Sequence, residues 1–471
     1  MRIAHQPSYA GLLPTFGGKI SENPAKGHIG CLNTGVLSRN AIFPWICAGF
    51  VVLPAATSPT FASNVEDEVR LLREQNALLQ QQVQKQGAEL DALNKKVEKI
   101  ESANDAQAVA AGENPAPPTS SYSLGNVHFS GEGGVAFFNT GTEGSTPHSE
   151  FRVDEARVFV EAPIWDDVYF YSDIDLATRE NTGLSAQLGE LYLDFEDVSK
   201  LFGKHGWVNV RAGRLNTPFG EEYLERYAME NPLISHSLSD IWGIDPGVEL
   251  YGRLGKFSYV LAVQNGSGAN GVQDFEGDKS VMGRLSFDPN ENWHFSLSGM
   301  RTGDLDANRD FISAVWFANG WFRSIGSPAT TKFHADAVEA DITGRWKTGH
   351  VSTFGGYVRY DDNDPAADNA RNIFYYSIEA VQNLPHKFYL ATRFSQIFAP
   401  DGYPLVGFGN FNEYFMGTQS TQLWRFSFGG GYRFSDRLAI KAEYSLERGS
   451  EVGSGHRNHE DFFGTEAVFK F

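Results

Sequence analysis

Residues 438–446 read LAIKAEYSL. Leu438, Ile440, Ala442, Tyr444 and Leu446 fall on one side of an extended chain, and Ala439, Lys441, Glu443 and Ser445 fall on the other. The same alternation recurs upstream. Trp424, Phe426 and Phe428 interleave with Arg425, Ser427 and Gly429; Val338, Ala340, Ile342 and Trp346 interleave with Glu339, Asp341, Thr343 and Arg345. Val281, Gly283, Leu285 and Phe287 interleave with Met282, Arg284 and Ser286, and Ile174 and Leu176 with Asp173 and Asp175. A period of two is a strand period. Each strand therefore has an apolar face and an ionic one. In a water-soluble sandwich the apolar faces share a core. In a membrane barrel they meet lipid, and the ionic faces surround the lumen.

Three features favour the barrel. About sixteen runs have the roughly 9–11 residue length that a tilted spanning strand needs. Their connections alternate short and long: Gly255-Lys256, Asp288–Asn292, Lys347–His350 and Ser435–Arg437 against Leu215–Asp245, Gly303–His334 and Ala399–Ser420. Glu196–His205 is long for a turn, and Thr178–Gly183 is short for a loop. Last, the chain ends on an alternating strand with Phe463, Thr465, Ala467, Phe469 and Phe471 on one face. A terminal Phe there resembles the signal by which the barrel-assembly machinery recognises outer-membrane clients.

Composition agrees. Mean hydropathy is −0.33, as expected when lipid sees only alternate residues. The net charge of −19 excludes a basic nucleic-acid footprint. Both cysteines, Cys31 and Cys47, lie in the first fifty residues. The apolar run Ala41–Ala56 follows Arg39 and ends near Thr60-Phe61-Ala62, so residues 1–62 read as a leader with a signal peptide. Residues 1–35 fit that leader poorly and suggest an over-long start. A thiol-free mature chain suits an oxidising compartment.

Residues 63–104 change period. Val69, Leu72, Asn76, Leu79, Val83, Leu90, Leu93 and Val97 recur in steps of three and four with charged residues between, which predicts an α-helical coiled coil with left-handed supercoil. One such helix cannot bury its own stripe, so it needs partners. Residues 105–123 are Ala-, Pro- and Ser-rich and read as a linker. The expectation is an all-β, 16-stranded antiparallel transmembrane barrel over residues 124–471, preceded by a periplasmic coiled coil.

Phe151–Glu161 (FRVDEARVFVE), Arg211–Gly220 (RAGRLNTPFG) and Ser235–Leu238 (SHSL) are similar to segments of the phosphate-selective porin O and P family, as is the terminal Phe471. The resemblance covers roughly residues 122–471. It implies a homotrimeric outer-membrane porin whose third outer loop folds into the pore. Carried onto this chain, that loop is 215–245, with Asn216, Thr217, Pro218, Phe219 and Arg226 as constriction residues. The family commonly has Lys where Asn216 stands. The loop also carries Glu221, Glu222, Glu225 and Glu230 against Arg226 alone, which counts against phosphate selectivity.

On the expected inward face stand Arg157, Arg211, Arg253, Arg284, Arg345, Arg359, Arg393, Arg425 and Lys441. Facing them are Asp173, Asp175, Glu190, Asp194, Glu249, Glu339, Asp341, Glu379 and Glu443. Arginine's planar fork suits phosphate and carboxylate oxygens, so the set reads as a ladder for small anions such as phosphate. The plainer reading is that these charges pair across strands and fill a polar wall. Gly266–Gly271 matches a GxGxxG pattern but no helix follows it, and His456 and His459 lack metal-ligand partners. No catalytic motif, metal site or cofactor is expected. Expected partners are outer-membrane lipid and lipopolysaccharide, the assembly machinery through Phe471, and two further copies of the chain. A general or cation-preferring porin, an envelope tether and a barrel enzyme are the alternatives.

Overall fold

The computed structural model describes residues 122–124, 126–179, 186–266, 277–308, 321–322 and 325–471. The leader, the expected coiled coil with its seam from Val69 to Val97, and residues 105–121 lie outside the described residues.

Among the described residues, nineteen strands make one antiparallel sheet. They are β1 (Tyr122–Leu124), β2 (Val127–Thr140), β3 (Glu150–Trp165), β4 (Val168–Ala177), β5 (Gln187–Phe195), β6 (Asn209–Asn216), β7 (Ile244–Leu254), β8 (Phe257–Gln264), β9 (Ser280–Asn290), β10 (Trp293–Arg301), β11 (Leu305–Asp306), β12 (Lys332–Trp346), β13 (Gly349–Asp362), β14 (Arg371–Asn383), β15 (Phe388–Tyr403), β16 (Ser420–Ser435), β17 (Leu438–Glu451), β18 (His456–Arg457) and β19 (Phe462–Lys470). Three of these, β1, β11 and β18, are short additions. β1 begins at Tyr122, two residues inside the expected linker, and pairs with β2. The other sixteen form the wall, each paired with its neighbour in sequence. β19 returns to β2, from Phe462 opposite Thr140 to Lys470 opposite Glu132, and closes the barrel.

Closure is tight on the outside. A Cβ added at Gly131 would stand 2.3 Å from Phe471 Cζ, and one at Gly133 2.7 Å from Phe469 Cζ. The two aromatic rings occupy the space that these glycines leave open. One end of the barrel has tight hairpins, with Asp167 and Gly255 in left-handed conformation (φ 57° and 63°). The 196–208 connection at that end is longer and holds a 3₁₀ turn, Val198–Phe202. The other end carries the long connections, among them 217–243, 307–331 and 404–419.

The barrel is inside-out relative to a soluble domain. On β17, Leu438, Ile440 and Tyr444 are exposed, whereas Lys441, Glu443 and Glu447 are buried. On β10, Leu297 is 62% exposed between buried Ser296 and Ser298. Leu261, Leu285, Ile342, Ile378 and Phe428 continue the outward apolar surface around the wall. Such a surface is stable against hydrocarbon and unstable against water.

The inner face departs from a uniformly ionic wall. Phe333, Ala335 and Ala337 of β12, Val358 and Tyr360 of β13, Ile373 and Tyr375 of β14, and Ile397 and Ala399 of β15 point inward toward the long-loop end. They pack with Phe219, Trp321, Phe322 and Leu405 from three long connections. Tyr360 stacks on Tyr403 at 5.0 Å between centroids, and Phe322 on Phe333 at 4.9 Å. Inward apolar residues are favourable here because folded-in loops, not pore water, cover them.

Leu297→Arg places a charge against the acyl chains and is expected to cost about 2–4 kcal/mol. Leu297→Phe leaves the surface apolar and is expected to fold like the parent. Urea titration of barrels refolded into lipid vesicles checks both.

Candidate functional site

The third long connection, Thr217–Gly243, lies across the lumen. Its root is fixed first. Gln264 donates to the carbonyls of Leu215 and Asn216, both at 3.0 Å, and Thr217 Oγ1 donates to Gln264 Oε1 at 3.1 Å. The Asn216 amide donates to Glu190 at 2.8 Å. Phe219 plugs into the apolar inner cluster. Gly220 takes a positive φ (65°), its amide donates to Ser298 Oγ at 3.1 Å, and Arg284 donates to its carbonyl.

The far side of the loop is held by the opposite wall. Lys441 Nζ donates to the carbonyls of Ala228 (2.7 Å), Asn231 (3.3 Å) and Leu233 (2.9 Å). Glu443 Oε2 accepts the amides of Ile234 (2.6 Å) and Ser235 (2.7 Å). Arg393 donates to Ser235 O at 2.6 Å and Arg425 to His236 O at 3.0 Å. Leu238 N donates to Ser395 Oγ at 3.1 Å. Tyr227 OH donates to Asp173 at 3.3 Å. Charged partners give the stronger hydrogen bonds, and most of these contacts have one.

The nine expected lumen bases therefore separate into distinct roles. Arg284, Arg393, Arg425 and Lys441 hold the loop. Arg157 is fully buried, beside Asp173, Asp175 and Glu155, with its guanidinium 4.3 Å from the Tyr227 ring centre. Arg211 bridges Asp194 (2.9 Å) and Glu249 (3.1 Å) and covers the Tyr251 ring. Arg253 sits exposed at the tight-hairpin end and pairs with Asp288 at 3.3 Å. Arg345 borders the open cavity.

Arg359 differs from the expectation. It lies between buried Val358 and Tyr360, so it points out of the barrel. There it pairs with Asp361 at 2.9 Å and stands opposite Asp336, which in turn bonds Arg301 at 3.0 Å. β13 has fourteen residues, more than the ~9–11 that cross the hydrocarbon. An outward charge at its long-loop end would therefore lie beyond a hydrocarbon layer that the middle of the strand crosses.

The constriction residues taken from the motif also occupy other places than the pore surface. Asn216, Thr217, Pro218 and Phe219 form the loop's root, and Pro218 and Phe219 are buried. Arg226 is buried in an ion pair with Asp240 and lies 4.6 Å from the Trp242 ring centre.

A cavity of about 220 Å³ remains between the loop and the wall of β10 and β12–β15. Its border includes Glu221, Glu222, Glu225, Asp341 and Glu379, against Arg345 and Arg393. His294 is bonded to Glu221 at 2.8 Å and to Asp288 at 2.6 Å. Burial, with Arg226 and Arg179 nearby, holds His236 well below its ordinary proton affinity, so it adds no positive charge at neutral pH. The border is acidic on balance.

No family model and no curated protein matches the chain. Solved structures of similar shape include several that are remote in sequence. OmpT, an outer membrane protein of Vibrio cholerae, is 10% identical, covering 75% of this chain and 100% of its own, with TM-score 0.49. The outer membrane channel DcaP of Acinetobacter baumannii is 12% identical over 73% of this chain and 97% of its own, with TM-score 0.46. An anion-selective porin from Comamonas acidovorans is 10% identical over 73% and 99%, also with TM-score 0.46. The likeness is one of fold, and the side chains that line the lumen are this chain's own.

Several residues at the site carried no sequence signal. Arg179, just past β4, pairs with Asp154 and donates to Ile234 O. Gln264 and Ser298 are ordinary strand polars until the loop arrives. Lys441→Met strips one buried cation from three carbonyls and from Glu466, 3.1 Å away. Breaking a buried ionic contact on one side costs roughly 3–5 kcal/mol. The expected variant unfolds at lower urea and shows noisier open-channel current than the parent.

Proposed function

We propose that the protein is an outer-membrane porin, a passive diffusion channel whose constriction is set by Thr217–Gly243 and prefers small hydrophilic cations to anions. The observation that carries this is the cavity border. Five carboxylates face two arginines and His294 there; Arg393 is paired with Glu379 and His294 with Glu221, which leaves Glu222, Glu225 and Asp341 against Arg345. A wall of one net sign concentrates counter-ions and repels co-ions. The arginine ladder that would favour phosphate loses its carriers: four bases are tied to the loop, Arg157 and Arg211 to wall carboxylates, and Arg359 faces outward.

Support for the membrane setting is the outward apolar surface. Above it, Arg301, Asp336, Arg359 and Asp361 form an ionic row at the level of lipid headgroups, which suits lipopolysaccharide. On this reading the channel works as a homotrimer, the barrel-assembly machinery recognises each chain through Phe471, and residues 63–104 form a periplasmic coiled coil. Solutes cross by diffusion, and the lumen's side chains act on them only through charge and width.

The test is the reversal potential in a KCl gradient across a planar bilayer. A potassium-selective sign is expected. One charge about 5 Å from an ion in water is worth roughly 0.8 kcal/mol, about fourfold in occupancy. Glu225→Gln should therefore lower the cation-to-anion permeability ratio several-fold without changing trimer yield. A chloride-selective parent would overturn the cation reading and restore the anion one.

A further inference from the structure

Within the cavity, Glu225 of the loop, His350 of β13 and Glu379 of β14 each offer one ligand atom, and those atoms all lie within 4.8 Å of one another. Glu225 and Glu379 border the cavity itself. His350 Nε2 is 3.8 Å from Glu379 Oε1. The other carboxylate oxygen of Glu379 is held by Arg393, so Oε1 is the one turned toward the imidazole. Two carboxylates, Glu225 from the loop and Glu379 from the wall, converge there and repel one another. A cation between them relieves that repulsion as a proton does.

We infer that Glu225, His350 and Glu379 form a binding station for a divalent transition-metal ion on its way through the pore. The ligand set is one imidazole and two carboxylates, a combination suited to zinc-like ions rather than to magnesium, which prefers oxygen and keeps its water. An ion about 2.1 Å from each donor needs them no more than about 4.2 Å apart. A shift of a few tenths of an ångström in Glu225, which sits on the short turn Glu222–Glu225, brings the set within reach. His350 and Glu379 are neighbours across the β13–β14 pair, and the folded-in loop adds Glu225 to them. The inference rests on the cation-preferring reading of the same cavity.

Zinc is the probe. Purified full-length protein is placed in planar bilayers, its KCl reversal potential is recorded, and micromolar ZnCl₂ is then added. The expected result is block of the potassium current by Zn²⁺, with no block by the same concentration of Mg²⁺. His350→Ala and Glu225→Gln should each shift the half-blocking concentration upward at least tenfold. Isothermal titration of the detergent-solubilised parent should show one Zn²⁺ per chain, lost in His350→Ala. A potassium-selective parent that Zn²⁺ leaves unblocked overturns the station and leaves the cation reading standing. Block that persists unchanged in both variants also overturns it. A chloride-selective parent overturns the cation reading, while titration still decides the site.

Discussion

Lys441 and Glu443 stand two residues apart on the inward face of β17 and grip opposite poles of one loop backbone. The ammonium takes three carbonyls, and the carboxylate takes two amides. The far side of the loop that narrows the lumen depends on this clamp. A loop crossing the interior of a barrel carries backbone groups that the wall must satisfy. A wall strand offers inward side chains only at every second position. The lysine and glutamate meet both demands with one strand. Arg393, Arg425 and Arg284 extend the same solution to its neighbours.

That solution decides the electrostatics. Charges used to hold the loop are neutralised locally and contribute little field to the open space. What remains at the cavity border is Glu222 and Glu225 on the loop and Asp341 and Arg345 on the wall, beside the paired Glu379–Arg393 and Glu221–His294. The acidic loop, with Arg226 turned to Asp240, thereby gives the cavity its sign.

The alternating pattern made the strands legible, because hydrocarbon outside and polar groups inside leave a period-two trace on every strand. LAIKAEYSL shows it with Lys441 and Glu443 buried and Ile440 and Tyr444 exposed. All nine acids assigned to the inner face are buried there, Asp173 and Glu443 among them. The pattern fails where the environment changes along a strand. At Arg359 the strand is longer than a hydrocarbon layer requires, and the outward position takes an ionic pair. At Phe333, Val358 and Ile373 the lumen is filled by protein, so inward residues turn apolar and resemble outward ones. Roles within the lumen were illegible for another reason. Sequence tells which face Arg425 occupies, but whether it meets water or His236 O depends on a loop some 190 positions away. Motif residues suffered likewise: Phe219 anchors, and the glutamates beside it face the void.

The seam between β2 and β19 has a consequence for biogenesis. These two strands come from opposite ends of the barrel-forming chain, and the rings of Phe469 and Phe471 lie over glycines that belong to the first wall strand. Until β19 emerges from the ribosome, β2 and β17 each keep a ragged row of unbonded amides, and no partial cylinder can tolerate the bilayer core. Closure thereby waits for the last strand. A chain cut short before β19 would keep the same greasy exterior yet lack the seam that turns it into a cylinder.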